Sequence, residues 1–323
     1  MQPLSGVIAA AVTPHKRGTE PDIGATLELI DFLCAAGVQA IALLGSTGEF
    51  VNLNFDDRVR LVYLAVKRSR IPVLAGVSHS TLDGAMALGC EASAAGAAGL
   101  LLMPPFFFRY RQPEIHEFYL RFADGMRRGA PVYLYNIPAF TSGISSDTAV
   151  LLLASGRFAG IKDSSGDWDN FQVLSRYQQE HPYTLLVGHD AIFARARRAG
   201  ADGVVSGVAC AVPELLLGLD RAITQQDEAE TARLDARLHE FLERIERFPT
   251  PVAIKAALEV RGIKTGPPPV PLAPETQAAL DEFREWFRAW VWWGSQYWLQ
   301  AAFQAASMLT GPPSPPEKSP APA

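Results

Sequence analysis

Cysteine is scarce in this sequence: Cys34, Cys90 and Cys210 are the only three in 323 residues, far apart and without CxxC or Cys/His spacing. This excludes a disulfide framework, makes a metal site unexpected, and reads as buried, reduced thiols in a cytosolic protein. Positive charge is also thin. Lys+Arg total 29 against 34 Asp+Glu, a net charge of −5 with a pI near 5.7. With no basic block to offset that balance, no nucleic-acid partner is expected. Long apolar runs are missing as well. Met1-Gln2-Pro3-Leu4-Ser5 lacks a basic n-region, and Val7–Val12 is too short for a signal segment. The expected location is therefore cytoplasmic. The turn Thr13-Pro14-His15-Lys16-Arg17-Gly18 is not GxGxxG, so nothing marks a dinucleotide site, and no cofactor is expected.

What is present is alternation. Short runs that are apolar on both faces recur at Val7–Val12, Ala40–Leu44, Pro72–Val77, Gly99–Met103, Pro131–Tyr135, Phe158–Lys162, Thr184–Val187 and Gly203–Ser206. Strands covered by helices on both sides read this way. Helix-length segments lie between them. In the first, Ile23, Leu27, Ile30 and Cys34 repeat at helical spacing and Gly37 supplies a stop. Ala35-Ala36-Gly37-Val38, Ala95-Gly96-Ala97-Ala98 and Ala199-Gly200-Ala201-Asp202 are variations on one helix-closing phrase, a weak internal repeat. Eight strands in strict alternation predict an α/β fold, a (β/α)8 TIM barrel over residues 1–225, rather than a doubly wound open sheet.

Beyond residue 225 the pattern stays helical. Helices are predicted near Gln226–Arg247, Pro251–Val260 and Pro274–Trp290, with Thr250-Pro251 as cap and first turn of the second. Residues 226–309 form a C-terminal helical appendage in this reading, with Gly266-Pro267-Pro268-Pro269 a rigid connector. Trp286, Trp290, Trp292, Trp293 and Trp298 are five of the six tryptophans, but Gln296, Gln300, Gln304 and Ser307 interrupt the run, so no membrane partner is expected. An extra helix packed on the barrel or on a neighbouring subunit is the simpler expectation, ahead of an interfacial membrane anchor. The Pro-rich tail, residues 310–323, is expected to be disordered.

Chemistry in a barrel sits at the C-terminal strand ends. The second strand ends in Gly45-Ser46-Thr47-Gly48-Glu49, where adjacent hydroxyls opening onto a helix offer donors to a small carboxylate. The fifth ends in Tyr133-Leu134-Tyr135-Asn136-Ile137-Pro138, and period two puts both tyrosines on one face with Tyr135 nearer the mouth, positioned to move a proton. The sixth ends in Gly160-Ile161-Lys162-Asp163-Ser164-Ser165-Gly166. A lysine closing an apolar strand is poorly solvated, which favours the neutral amine that attacks carbonyls. Each segment alone has an ordinary alternative: a plain turn, a core tyrosine, or a lysine paired with Asp163 or reaching solvent.

Together, in this order and spacing, the three segments resemble the signature segments of the dihydrodipicolinate synthase and N-acetylneuraminate lyase family, the pyruvate-dependent class I aldolases. The resemblance runs from Gly6 to about Trp290. It implies a barrel with a C-terminal helical domain, assembled as a homotetramer. It also implies a lyase in which Lys162 forms a Schiff base with pyruvate or a larger 2-oxo acid. Tyr135 would shuttle protons, Ser46 and Thr47 would hold the oxo-acid carboxylate, and Gly188 and Val205 would line the pocket through backbone atoms.

Three departures bear on the reaction. Where the family often has a relay tyrosine after the fourth strand, this chain has Phe107, so that relay is absent or Tyr110 replaces it. Where dihydrodipicolinate synthases place an arginine after the fifth-strand motif, this chain has Phe140, which counts against that activity. Ala191 stands where sialic acid lyases carry a glutamate. The expected reaction is C–C cleavage or formation between pyruvate and an aldehyde, on a hydroxylated or aryl 2-oxo acid. The alternatives are 4-hydroxy-tetrahydrodipicolinate synthesis, dehydration of a 2-oxo-3-deoxy sugar acid through the same imine, and a non-catalytic relative that binds a 2-oxo acid.

Overall fold

The computed structural model describes residues 4–309, with side chains from 4 to 291. The Pro-rich stretch 310–323 and the side chains of Trp292, Trp293 and Trp298 lie outside the described residues.

Eight parallel strands close into a barrel in sequence order: β1 (Gly6–Ala10), β2 (Ala40–Leu43), β3 (Val73–Gly76), β4 (Gly99–Leu102), β5 (Val132–Asn136), β6 (Gly160–Asp163), β7 (Thr184–Val187) and β8 (Gly203–Ser206). Closure is made by β1 against β8, with Ile8 opposite Val205. Every strand residue is buried, as the doubly apolar runs predicted. Two glycines permit the close approach: a Cβ on Gly203 would lie 2.1 Å from the Gly6 carbonyl, and one on Gly160 equally near that of Thr184.

The helices are α1 (Ile23–Ala36), α2 (Phe55–Arg68), α3 (Leu82–Ala95), α4 (Gln112–Gly125), α5 (Ser146–Ala154), α6 (Trp168–Glu180), α7 (Phe193–Arg198), α8 (Val208–Ala211), α9 (Pro213–Thr224), α10 (Glu228–Ile245), α11 (Val252–Val260) and α12 (Pro274–Leu309). Their starts reflect side-chain chemistry: Asp22, Asn54, Thr81, Ser145, Asp167 and Asp227 each cap a helix by accepting from a backbone N–H. The left-handed residues Gly37 and Gly96 end α1 and α3 at φ 86° and 91°.

Several local expectations change. The buried stripe of α1 is Ala25, Thr26, Leu29, Ile30 and Leu33, while Ile23, Leu27 and Cys34 sit at its margins. Cys90 is exposed rather than buried, because α3 turns Ala85, Leu88, Gly89 and Ala92 inward and Cys90 falls outside that face. Cys34 is half-buried, and only Cys210 is fully buried. Thr250-Pro251 does not cap α11 with a side chain. The helix begins at Val252, whose N–H bonds the Pro249 carbonyl at 2.8 Å.

Helix α12 lies against α10 and α11. Trp286 and Trp290 join Phe241, Phe283 and Phe287 in one aromatic cluster, with Phe241 and Trp290 stacked at 5.4 Å. Arg237 lies over the Trp290 ring at 4.2 Å, and Trp290 donates from its indole to Glu240 at 2.7 Å. These tryptophans therefore serve internal packing, and the polar edge of Trp290 is satisfied. No described helix is long and apolar enough to cross a membrane.

Candidate active site

Register is what assembles the site. β5 and β6 pair with Tyr135 opposite Lys162, so two side chains distant in sequence stand at one height on the barrel wall. Lys162 is 4% exposed and Tyr135 1%. The Lys162 Nζ lies 3.9 Å from the centroid of the Tyr135 ring, and the Tyr135 hydroxyl meets Ser46 Oγ at 3.1 Å. Burial alone would push the Tyr135 phenol up, but the Lys162 charge and the Ser46 hydrogen bond outweigh it, and the net direction is down. A phenol that releases its proton more readily than usual, beside an amine, is suited to proton transfer.

Lys162 is not paired with Asp163. Strand alternation turns Asp163 away, where it accepts from Asn136 Nδ2 (2.8 Å), Ser165 Oγ (2.9 Å) and Asn170 Nδ2 (3.0 Å). Burial still pushes the Asp163 carboxyl up. Asn136 uses its other end to accept from the Ile144 N–H at 2.9 Å, which ties the loop after β5 to the end of β6. Within that loop the Phe140 and Thr141 amides bond the Ile137 carbonyl, fixing where Phe140 projects.

The turn after β2 is the most constrained segment of the site. Leu44 and Glu49 bracket it at positive φ, 58° and 53°, a conformation uncommon without glycine. Gly48 between them has no room for a side chain, since a Cβ would lie 2.8 Å from Leu44 N and 3.2 Å from the Ala11 carbonyl. Thr13 Oγ1 donates to the Gly48 carbonyl at 2.6 Å. The turn leads into a single 3-10 turn, Phe50–Asn52, and α2 starts only at Phe55, so the donors at Ser46 and Thr47 are not those of a long helix N-terminus. Thr47 is buried beside Gly207, where a Cβ would lie 3.2 Å from its hydroxyl.

Gly188 closes the other side. A Cβ there would lie 2.7 Å from Lys162 Cε and 1.9 Å from Ser164 Oγ. The buried Ser164 Oγ has no partner among the described residues, and neither does Asp190 Oδ1. Burial pushes the Asp190 carboxyl up to about 6, against the opposing pull of Ser206, His189 and Lys162. Asp190 is therefore a further polar group near Lys162 that no motif singled out, because a carboxylate in a loop is ordinary until its burial is known. Val205 is buried one residue before Ser206 on β8.

From Ser46 a cavity of about 700 Å³ opens outward. Phe50, Phe106, Phe107 and Phe140 line its barrel side, and 249–252 with 268–273 line the other. Pro268 and Pro269 of the Gly266-Pro267-Pro268-Pro269 connector are thus part of the cavity wall. Arg247, which the sequence did not mark, stands at the edge and is exposed. Phe107 is 87% exposed at φ 79°, stacked edge-on against Phe108 at 5.0 Å. Tyr110 does not line this cavity. Its amide bonds Ser142 Oγ at 2.7 Å, and its side chain is exposed. The described residues contain no cluster of metal-ligating side chains.

Comparison with known proteins gives a consistent picture. The dihydrodipicolinate synthetase family model matches residues 3–289. The chain is 29% identical over 291 residues to 4-hydroxy-tetrahydrodipicolinate synthase of Methanosphaerula palustris, covering 86% of this chain and 98% of that protein. It is 32% identical over 287 residues to an uncharacterized DapA-like lyase of Halobacterium salinarum, covering 86% and 92%. Among solved structures, dihydrodipicolinate synthase from Aquifex aeolicus aligns with a TM-score of 0.80 at 27% identity, covering 89% and 98%. YagE of E. coli K12, a prophage protein of the dihydrodipicolinic acid synthase family in complex with pyruvate, aligns at 0.82 and 26%, covering 89% and 98%.

Proposed function

The chain belongs to the dihydrodipicolinate synthetase family, a family of pyruvate-dependent lyases of the class I aldolase kind, and from that premise we propose that it makes or breaks a C–C bond between pyruvate and an aldehyde through an imine on Lys162. The observation that carries this reading is the contact chain from Lys162 Nζ over the Tyr135 ring to Ser46 Oγ.

In the cleavage direction, the Lys162 amine adds to the C2 carbonyl of the oxo acid, and the carbinol hydroxyl leaves as water with the Tyr135 phenolic proton, giving a protonated imine and a Tyr135 phenolate. The Tyr135 oxygen takes the proton of the C4 hydroxyl. The C3–C4 electron pair moves to the iminium nitrogen, releasing the aldehyde and leaving an enamine. Protonation at C3 and hydrolysis return pyruvate and free Lys162. Ser46 and Thr47 hold the carboxylate, with Gly188 leaving space beside Lys162. The phenylalanine-lined cavity favours an aldehyde with an apolar or aryl body, and Phe140 at its wall argues against aspartate semialdehyde as the natural partner. A homotetramer in the cytoplasm is the assembly and location this reading proposes.

The test is reduction with borohydride in the presence of pyruvate. One pyruvate-derived mass per chain, located on Lys162, is expected. An unlabelled protein, or label on another lysine, would overturn the mechanism and leave a non-catalytic 2-oxo acid-binding protein as the better reading.

A further inference from the structure

A buried charge pair lies behind the turn that presents Ser46 and Thr47. Glu49, at the end of that turn, is 8% exposed and forms an ion pair with Lys255, 4% exposed, from α11. Lys255 Nζ also contacts His15 Nδ1 at 3.2 Å. Burial lowers the His15 imidazole to about 4, with the Lys255 charge acting in the same direction, so the ring faces the ammonium as a neutral acceptor. The arrangement continues into the C-terminal region. The His15 amide donates to the Thr265 carbonyl at 2.9 Å, and Thr265 Oγ1 donates to Glu259 at 2.9 Å. Glu259 is held in turn by Arg284 of α12 at 2.9 Å.

Such a pair is a poor device for stability alone. Desolvating a carboxylate and an ammonium costs about as much as their attraction returns, and an apolar pair of similar volume often serves as well. Its position points elsewhere. Glu49 holds a left-handed backbone conformation, three residues from Ser46 and two from Thr47, and such a conformation persists where surrounding contacts over-determine it. Lys255 begins the second turn of α11, whose first residue, Val252, lines the cavity together with Pro251. One ion pair therefore joins the hydroxyl-bearing turn to the far cavity wall.

We propose that Glu49 and Lys255 are positioning residues that hold the Ser46-Thr47 turn in its carboxylate-binding geometry and make that geometry depend on the docking of α11. This rests on the reading that Ser46 and Thr47 bind the oxo-acid carboxylate. Lys255 stands outside the cavity lining, and Glu49, at the cavity wall beside Ser46, is engaged by Lys255. Their effect passes through backbone placement, and displacement of a binding group by about 1 Å can cost on the order of 10²-fold.

The experiment uses the full chain and three variants: Glu49→Gln, Lys255→Arg, and the double variant Glu49→Gln/Lys255→Met. The double variant leaves no unpaired buried charge and protects the comparison if the Glu49 change alone fails to fold. Calorimetric affinity for pyruvate is read beside the melting temperature, and borohydride trapping on Lys162 is read separately. The double variant should fold and bind pyruvate about 10- to 100-fold more weakly. It should still be trapped on Lys162 once pyruvate is saturating, and Lys255→Arg should recover part of the affinity. Wild-type affinity in a folded double variant, or a lowered melting temperature with unchanged affinity, overturns the proposal and leaves the pair a packing feature. Absence of trapping in the wild type, with pyruvate still bound, refutes the imine and leaves the positioning proposal to be judged on affinity.

Discussion

Tyr135 and Lys162 occupy paired positions on adjacent strands, with the Lys162 amine 3.9 Å from the centre of the Tyr135 ring. A single-residue shift of β5 against β6 would move Tyr135 to the opposite face of the barrel wall. The catalytic reading thus depends on barrel register as much as on residue identity.

Tyr135→Phe should lower C–C cleavage by about 10²–10⁴-fold while pyruvate remains trappable on Lys162, since general acid–base groups contribute on that scale. Tyr110→Phe should have a smaller effect, because Tyr110 does not line the cavity of its own chain. Steady-state rates with any cleaved substrate, paired with mass analysis after borohydride, separate the two. A dead Tyr110→Phe beside an active Tyr135→Phe reverses the assignment.

Gly188→Ala should disable imine formation without unfolding the barrel. The added methyl would meet Lys162 Cε and Ser164 Oγ at distances no packed pair tolerates, and these flexible side chains can move only by leaving their present positions. Trapping should slow by roughly 10²-fold, with circular dichroism checking the fold. Trapping at the wild-type rate would mean that Lys162 reacts from another conformation.

Aldehyde choice is testable at Phe140 and Arg247. Condensation of pyruvate with aspartate semialdehyde should be slow, and a kcat/KM of about 10⁴ M⁻¹s⁻¹ or more would reverse the substrate reading. Among aryl aldehydes, those with a distal carboxylate should be preferred, because Arg247 is the exposed cation at the cavity edge. Arg247→Met should erase that preference and leave turnover of neutral aldehydes within a few-fold. Competition assays on a matched pair of aldehydes measure it directly.

Asp190 carries a pH signature. Burial pushes its carboxyl from 3.8 up to about 6, so between about pH 4 and pH 6 the folded protein keeps a proton that the unfolded chain has lost. Stability contributed by this group therefore falls as pH rises through that window. Asp190→Asn should melt higher than wild type at pH 7.5, with the advantage shrinking toward pH 4. An advantage that is constant with pH would show that Asp190 is not held protonated by burial.

Much of the molecule was legible in sequence because its signals are local. Doubly apolar runs separated by helix-length segments specify a parallel sheet with helices outside, and helix-ending phrases such as Ala35-Ala36-Gly37 carry their own backbone preference. The predicted Thr184–Val187 and Gly203–Ser206 match β7 and β8 residue for residue. The lysine, tyrosine and hydroxyl segments stood out because each places a reactive side chain at a strand end.

What remained for the tertiary structure was every property that depends on long-range approach. Sequence left open whether Lys162 paired with Asp163, and strand alternation with the Asn136 and Asn170 hydrogen bonds excluded it. Asp190 and Glu49 look like ordinary loop carboxylates until burial and partners are known. Lys255 lies 206 positions from Glu49, and no periodicity links them. Cys90 and Phe107 are apolar by composition yet exposed by helix phase and loop geometry. Local pattern determines which elements form, because backbone propensity and amphipathic spacing act over a few residues. Closure of the barrel then determines which side chains share a desolvated space, and that proximity sets their chemistry.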